Sequence, residues 1–247
     1  MNTSYWPQDL AEVSALSVET VNADSFPREE VACSLVVILS LRCNLQCTYC
    51  NVEAGPWVKG ELGLILFERW IRAFLQVDCL SLSVQLHGGE PLALKASAEW
   101  YARIANNLFA QYPSWKSRGL GLVSNGVLLD DARARALTQA GVQVQVSVDG
   151  PARIHDERRL SGNGKGSHSA AMRAVALVDK YQPSAGVIAV VSDPDDVLPT
   201  LKFFIESGIG GVKMNPVRPE GRAVVLPTGG GRSVESPMRL MAQMYFA

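Results

Sequence analysis

The sequence has little of what marks membrane, secreted or nucleic-acid-binding proteins. Its net charge is −1 over 247 residues, so no broad basic field points to nucleic acid or to an anionic membrane. The longest apolar runs, such as Leu35 to Leu39, are far shorter than the roughly 20 residues that span a bilayer. The N-terminus has neither a basic start nor an apolar segment, so it lacks the pattern of a secretory signal. We expect a cytoplasmic protein with no nucleic-acid and no membrane partner.

Cysteine is also scarce, and its distribution is uneven. The chain has five cysteines, and three of them, Cys43, Cys47 and Cys50, lie close together. Three cysteines so close cannot all pair as disulfides, and a cytosolic cluster of this kind indicates metal binding or catalysis. The other two, Cys33 and Cys79, stand alone in the sequence. We expect each of them to be a buried core thiol.

From residue 35 onward, short apolar runs alternate with stretches of helical periodicity. The runs predict strands at 35–40, 82–87, 120–124, 142–147, 186–191 and 211–215. The periodic stretches predict helices at 64–77, 96–112, 130–140, 167–181 and 195–207. Six strand–helix units predict an α/β fold with parallel strands, arranged as an open, partial (β/α)6 barrel. A flat, doubly wound sheet is the alternative architecture.

The two ends of the chain differ from this repeating core. Residues 1–34 are predicted to be a polar N-terminal extension with a short helix around 9–19, and residues 35–225 the barrel domain. Residues 226–247 are predicted to be a linker followed by the start of an incomplete C-terminal segment, because 228–233 is glycine-rich and 238–247 is apolar. An apolar helix that stops there suggests a truncated chain or a helix that docks on a partner.

Polar and glycine-rich clusters follow the first four predicted strands. The carboxyl ends of parallel strands meet at one rim, which is where both candidate architectures bind their ligands. The clusters are Cys43 after strand one, Gly88-Gly89-Glu90 after strand two, Ser124-Asn125-Gly126 after strand three and Ser147-Val148-Asp149-Gly150 after strand four. We therefore expect the functional site at this rim.

The cysteines form a C-x3-C-x2-C loop, which narrows the choice of metal. Thiolates are soft ligands that select zinc or iron–sulfur clusters. A structural zinc site normally closes with four ligands, and the histidines, His87, His155 and His168, offer no second pair. Three thiolates on a four-iron cluster leave one iron open to a small molecule. An iron–sulfur cluster is therefore favoured, and a zinc-binding module remains the alternative.

This cysteine loop, with Tyr49 before its last cysteine and Gly88-Gly89-Glu90-Pro91 after strand two, resembles the radical S-adenosylmethionine (SAM) enzymes. The resemblance covers about residues 35–225. It implies that Cys43, Cys47 and Cys50 hold a [4Fe–4S] cluster whose fourth iron chelates SAM. It also implies that an external donor's electron cleaves SAM to methionine and a 5′-deoxyadenosyl radical, which abstracts a hydrogen atom from the substrate.

The glycine-rich motif after strand two suits the amino group of SAM. Gly88 and Gly89 would let the backbone approach the methionyl amine closely, and Glu90 would offer a carboxylate to the ammonium. Taken alone, the same motif would be an ordinary tight turn with a solvated glutamate. Its position after the cysteine loop favours the binding role.

Further matches resemble the SPASM-type branch, which contains ribosomal-peptide maturases and anaerobic sulfatase maturases. They run from Ser147 to Pro151, through His155-Asp156 and Arg159, to Gly164-Lys165-Gly166. The resemblance implies that Ser147 and Arg159 bind the SAM carboxylate, with Arg158 and Arg173 as competitors for the arginine role.

The resemblance also implies roles for residues at the ends of later strands. Ser124 and Asn125 correspond to the family's Thr-Asn-Gly motif, and Val190 with 214–216 would flank the adenine. Each of them could equally be an ordinary turn or strand-end residue. His87 is expected to be a packed, hydrogen-bonded residue rather than a catalyst.

The sequence departs from the SPASM pattern because no cysteine follows Cys79. The auxiliary clusters of that branch are therefore not expected here, and a partner chain, a missing C-terminal domain or a naturally short enzyme would explain the difference. We expect hydrogen abstraction from a peptide or protein side chain, with crosslink formation in a ribosomally made peptide as the leading outcome. A formylglycine-generating maturase is the alternative within the class, and an inactive peptide-binding scaffold the alternative outside it.

Overall fold

The computed structural model describes residues 32–76, 81–111, 117–183, 185–218 and 220–225. The strands are β1 (Ala32–Ser40), β2 (Ser81–Gly88), β3 (Ser117–Ser124), β4 (Val142–Ser147), β5 (Val187–Val191) and β6 (Val212–Pro216). The α-helices are α1 (Leu64–Phe74), α2 (Ala98–Gln111), α3 (Asp131–Gln139), α4 (Ala152–Arg158), α5 (His168–Tyr181) and α6 (Val197–Glu206). Short 3-10 turns lie at Pro91–Ala93, Pro194–Asp196 and Gly221–Val225.

The six strands form one parallel sheet in which the spatial order follows the chain order, β1-β2-β3-β4-β5-β6. A doubly wound sheet reverses its strand order at a switch point, and this sheet does not. Burial lowers the pKa of His87 on β2, and Lys213 on β6 lies close enough to add to this effect, as expected of a curved sheet. Four strand spacings in a flat sheet would separate them by about 19 Å. The predicted partial barrel is confirmed as a half-barrel of six strands.

The main core lies between the sheet and the helices that cover its convex side. Alternate strand residues point to this side, as the pleat of a strand requires. The strand residues buried there are Leu82, Val84, Leu86, Leu120, Leu122, Val142, Val144, Val146, Val187 and Ala189. The helices contribute, among others, Phe67, Ile71, Tyr101, Leu108, Leu137, Ala171, Val178 and Phe204. This packing fixes the strand ends and therefore the loops at the rim.

The predicted strands and helices occur in the predicted order, with differences that have local causes. β1 begins at Ala32 rather than Leu35, and its first residues alternate between exposed and half-buried positions instead of forming an apolar run. The last predicted helix starts as a 3-10 turn in which Asp193 accepts a hydrogen bond from the backbone of Asp195. Helix α4 was missed, since Ile154 and Ala152 are too few apolar residues to give a helical period.

Several expectations fall on residues that the structure does not describe. They concern the helix predicted at 9–19, Cys79, the linker and the apolar C-terminal segment. The domain boundaries also stay predictions. Cys33 is half-buried and packs against the core, so it is less buried than expected. Among the described helices, none has the length and apolar character needed to cross a membrane.

Candidate functional site at the rim of the half-barrel

The three clustered cysteines lie on a loop between β1 and α1 that is anchored by backbone hydrogen bonds. Within the loop, the amide of Cys43 donates to the carbonyl of Gly55 at 3.1 Å. From outside, the segment that follows α4 pairs with it, since the amide of Gln46 donates to the carbonyl of Leu160 at 2.7 Å. A second bond runs from the amide of Thr48 to the carbonyl of Arg158, at 2.9 Å. The spacing of the cysteines is therefore set by two separate parts of the chain.

Hydrogen-bond donors surround two of the three sulfurs. The amide of Leu45 lies 3.4 Å from Cys43 Sγ, and the side-chain amide of Asn125 lies 3.7 Å from it. The amide of Ala54 lies 3.4 Å from Cys50 Sγ. Donors of this kind stabilise a thiolate and tune the metal centre that it holds.

Burial disfavours the charged thiolate form of two cysteines in the loop. Burial raises the pKa of Cys43 to about 12, and burial also raises the pKa of Cys47, against the opposing effect of the Arg159 guanidinium. Among the described residues, no three His, Cys, Asp or Glu side chains converge as the ligands of one metal ion do. Three soft thiols on one loop, with N–H donors at two of their sulfurs, fit the ligand set of an iron–sulfur cluster.

The glycines after β2 bring this strand end against the base of the cysteine loop. Gly88 has φ +133°, and a Cβ there would lie 2.2 Å from the carbonyl oxygen of Ser40. A Cβ on Gly89 would lie 2.3 Å from the carbonyl oxygen of Arg42. The amide of Gly89 donates to Ser40 at 2.7 Å. The close approach that requires glycine in this structure is therefore to the chain's own backbone.

Glu90 is buried, with 1% of its surface exposed, and its carboxylate binds three donors of the protein. Oε1 accepts from the amide of Leu92 at 3.0 Å and from Ser124 Oγ at 2.9 Å, and Oε2 accepts from the amide of Asn125 at 2.7 Å. Burial raises the pKa of Glu90, and these hydrogen bonds oppose the rise. A carboxylate has about four acceptor positions, so one remains for an ammonium group. That role stays a prediction.

Asn125 joins the end of β3 to the cysteine loop. Its Nδ2 atom donates to Asn44 Oδ1 at 2.8 Å as well as to Cys43 Sγ, and its Oδ1 atom accepts from the amide of Val127 at 3.0 Å. Through Asn125 and Glu90, the first three strands of the sheet share one hydrogen-bonded network at the rim.

Asp149, directly after β4, is the centre of a second network. Its Oδ2 atom accepts from the Tyr49 hydroxyl at 2.5 Å and from Arg159 Nε at 2.8 Å. Its Oδ1 atom accepts from the amide of Val190 at 2.9 Å. The Arg159 guanidinium also lies 5.5 Å from the centre of the Tyr49 ring. Three of the residues expected at the site, Tyr49, Arg159 and Val190, are thus held together by a carboxylate that the sequence reasoning gave no role.

Ser147 and the competing arginines occupy different parts of the structure. Ser147 ends β4, is buried, and is in register with Ile188 of β5. Arg158 pairs with Asp196 at 2.5 Å, and Arg173 is bonded to Ser169 on the surface of α5. Of these three arginines, only Arg159 contacts Asp149 at the rim.

His87 makes a local contact. The amide of Gly88 lies 2.7 Å from its Nδ1 atom, and the side chain is partly buried on the concave side of the sheet. This placement agrees with the expectation of a hydrogen-bonded residue, and it assigns no catalytic contact.

The turn after β6 supplies two site residues that the sequence reasoning missed. The amide of Arg222 donates to the carbonyl of Cys50 at 3.0 Å, and its Nε atom donates to the carbonyl of Cys47 at 2.8 Å. A Cβ on Gly221, which has φ +57°, would lie 2.5 Å from the carbonyl oxygen of Asn51. The only signal in the sequence was a Gly-Arg pair shortly after the last strand.

The chain is similar in sequence to known proteins. A family model described as the Radical SAM superfamily matches residues 37–212. An uncharacterized protein of Synechocystis sp. is 32% identical over 190 residues, which is 72% of this chain and 46% of that protein. The cysteine-type anaerobic sulfatase-maturating enzyme of Clostridium perfringens is 28% identical over 169 residues, which is 64% of this chain and 44% of the enzyme. The chain spans about half the length of the curated relatives it matches.

Solved structures agree on the fold. Native anSMEcpe with bound AdoMet and Cp18Cys peptide has a TM-score of 0.66 and 26% identity, covering 76% of this chain and 51% of that one. Streptococcus suis SuiB bound to precursor peptide SuiA has a TM-score of 0.63 at 15% identity, covering 86% of this chain and 45% of SuiB. Because the family model matches well over half of the residues, the chain belongs to the radical SAM superfamily, whose cofactors are a [4Fe–4S] cluster and SAM.

Proposed function

We propose that this chain takes part in the radical modification of a peptide or protein side chain. The observation that carries the proposal is the meeting, at one rim, of a three-cysteine loop with the Glu90 and Asp149 networks. When bound, the cluster supplies the electron that cleaves SAM to methionine and a 5′-deoxyadenosyl radical, which takes a hydrogen atom from the substrate.

The chain's own residues hold and orient the cofactors. Cys43, Cys47 and Cys50 supply the three thiolates. Glu90 keeps one acceptor position for the ammonium group of SAM, while its other bonds fix the turn at Asn125.

The carboxylate of SAM needs donors on the other side of the rim. Arg159 is held there by Asp149 through Nε, so its fork is preorganised for a carboxylate, and the hydroxyl of Ser147 is the second donor. Val190, beside them, has its backbone amide fixed by Asp149 and would contact the adenine.

The concave face of the sheet would receive the substrate. Its residues alternate with the buried, helix-facing ones, and they include Gln85 and Gln145, whose side chains lie 3.5 Å apart. Exposed Lys213 lies on the same face of β6. Amide side chains and a lysine offer both donors and acceptors, which suits a peptide backbone better than an apolar molecule.

We consider two products of the hydrogen abstraction. Crosslink formation in a ribosomally made peptide is our leading proposal. Formylglycine formation is the second candidate, and it is favoured by the 25–28% identity to serine-type and cysteine-type anaerobic sulfatase-maturating enzymes. The products differ, because formylglycine is an aldehyde that reacts with a hydrazide probe and a crosslink does not.

The test is release of 5′-deoxyadenosine from SAM by anaerobically reconstituted protein with a strong reductant. We expect about four irons per chain and slow release without substrate. Cys47→Ala should abolish both iron binding and release, whereas Cys33→Ala, which changes a thiol on β1 outside the loop, should preserve both.

The outcomes separate the alternatives. Release that persists in Cys47→Ala would contradict the assignment of the loop. Iron without release would mean that a further domain or partner is needed for the reaction. A wild-type chain with neither iron nor release would leave the peptide-binding scaffold as the better interpretation, and one zinc per chain would favour the zinc module.

A further inference from the structure

Arg222 is a half-buried cation placed against the cysteine loop. Its backbone amide and its Nε atom bind two carbonyl oxygens of the loop, those of Cys50 and Cys47. Its guanidinium lies 5.7 Å from the centre of the Trp57 ring, which belongs to the same loop. The side chain is therefore fixed on the loop by contacts at several points.

The guanidinium keeps an unused donor in this position. Its Nη1 atom is buried and has no hydrogen-bond partner among the described residues. A buried charged donor without a partner is costly, so it indicates a place that an acceptor or an anion occupies in the working protein. The anion that would lie next to this loop is the iron–sulfur cluster together with its three thiolates.

Arg222 differs in this respect from the other cation near the loop. Arg159 shares its charge with the carboxylate of Asp149 at 2.8 Å. Within the described ranges, no acidic side chain forms an ion pair with Arg222. Among the described residues, the positive charge of Arg222 is therefore free to act on the thiolates, whereas that of Arg159 is shared with Asp149.

Charge decides what such a cation does to a cluster. Three thiolates make an oxidised cluster site negative, and reduction adds one more negative charge. A nearby cation stabilises the reduced form more than the oxidised form, and the low dielectric of a buried site strengthens the effect. The potential of iron–sulfur clusters is known to follow net charge and hydrogen bonding to the sulfurs.

We infer that Arg222 tunes the reduction potential of the cluster, making it easier to reduce by holding an unneutralised guanidinium against the ligand loop. The inference rests on the proposed function, because it requires that the three cysteines bind the cluster. Arg222 thereby sets how strong an electron donor the protein needs.

The test is an EPR-monitored redox titration of the reconstituted protein without SAM, together with its iron content. Arg222→Gln removes the charge, Arg222→Lys keeps it, and Arg173→Gln removes an exposed arginine on α5 as the matched control. We expect the equilibrium constant for reduction to fall at least tenfold in Arg222→Gln, a shift of about 59 mV to lower potential for a one-electron couple. Arg222→Lys should stay closer to the wild type, and Arg173→Gln should match it.

The outcomes distinguish a failure of the proposed function from a failure of the inference about Arg222. A wild-type chain that takes up no iron overturns the proposed function and this inference with it. Equal iron and equal potential in the wild type and Arg222→Gln overturn this inference alone. If Arg222→Gln loses its iron, retention in Arg222→Lys supports the need for the charge, and loss in both variants shows that the side chain only holds the loop in shape.

Discussion

The hydroxyl of Tyr49 donates a 2.5 Å hydrogen bond to Asp149, a residue one hundred positions further along the chain. The same carboxylate oxygen accepts from Arg159 Nε, and both charged side chains are buried. Tyr49 precedes the last cysteine of the loop, and Asp149 follows β4. One carboxylate therefore fixes the cysteine loop to the opposite half of the rim.

Asp149→Asn should destabilise the protein strongly. The substitution keeps the shape but leaves the buried guanidinium of Arg159 without its counter-charge, and breaking a buried pair in this way costs about 3–5 kcal/mol. The free energy of unfolding, measured by urea denaturation, should fall by about this amount.

The matched control is Glu68→Gln, which breaks the exposed pair of Glu68 with Arg72 on α1. An exposed i,i+4 pair contributes about 0.3–0.5 kcal/mol. If Asp149→Asn cost no more than this control, Asp149 would not be the organising residue of the rim.

His155 should make the stability of the protein depend on pH. Its Nδ1 atom accepts from the amide of Asp149, and its Nε2 atom lies 3.0 Å from Ser167 Oγ, whose own proton is donated to the carbonyl of Arg159. The ring is thus held neutral, with its proton on Nε2. Burial, with a contribution from Arg159, lowers the pKa of His155 to about 4.

The sign of the pH effect follows from this shift. Between pH 6.5 and the folded pKa, His155 binds a proton in the unfolded chain but not in the folded protein. The stabilising contribution is therefore complete above pH 6.5 and decreases as the pH falls. From about pH 7.5 to about pH 5.5, the wild type should lose about 1.4 kcal/mol more than His155→Gln does. If the wild type and His155→Gln lost the same free energy of unfolding between the two pH values, as measured by urea denaturation, the neutral state of the His155 ring would be contradicted.

Gly88→Ala should disrupt the junction between β2 and the cysteine loop. The new Cβ would meet the carbonyl oxygen of Ser40 at 2.2 Å, in addition to the strain of a positive φ. We expect a loss of about 4 kcal/mol or more in the free energy of unfolding. Gly60→Ala isolates the strain, because Gly60 has φ +101° but no atom within 4 Å of the added Cβ, and it should cost about 1–3 kcal/mol. Similar losses in both variants would argue against the clash.

Glu90→Gln should weaken SAM binding while the cluster is retained. The change removes the charge and sets an NH2 group against N–H donors, and losing a charge-assisted hydrogen bond costs about 1.5–3 kcal/mol. The dissociation constant, measured by anaerobic calorimetry, should rise roughly tenfold to a hundredfold. Glu61→Gln is the control, since Glu61 also accepts from backbone amides, those of Lys95 and Ala96, away from the site. An unchanged affinity in Glu90→Gln would remove the proposed role.

Much of the fold could be predicted because its signals are local. Apolar runs such as that of β2 and helical periods such as that of α5 are set by residues close in sequence, and Gly141 and Gly208, which follow two of the helices, have the positive φ typical of helix C-termini. The cysteine loop could be predicted equally well, because its three cysteines lie on one short segment. Helix α4 was not, since its polar residues are helical through contacts that it makes in the folded protein.

The organisation of the rim was less predictable because it depends on long-range contacts. The preference for Arg159 over Arg158 rests on which side chain meets Asp149, and two adjacent arginines look alike in sequence. Asp149 was recognised as a rim residue, but nothing local indicated that it would bind Tyr49 and Val190 together. Arg222 lay beyond every motif, and its role emerges only from the folding of the last turn back onto the loop.

The bond from Arg222 to the carbonyl of Cys47 joins residues 175 positions apart. The loop also pairs with the segment at Leu160, so both of these contacts require most of the sheet to have assembled. Contacts this distant form late, because closing a long loop costs entropy that only the finished sheet repays. Because the proposed ligand loop depends on these contacts, we expect the cluster to bind only to a chain whose half-barrel is complete, so that iron content would report on folding.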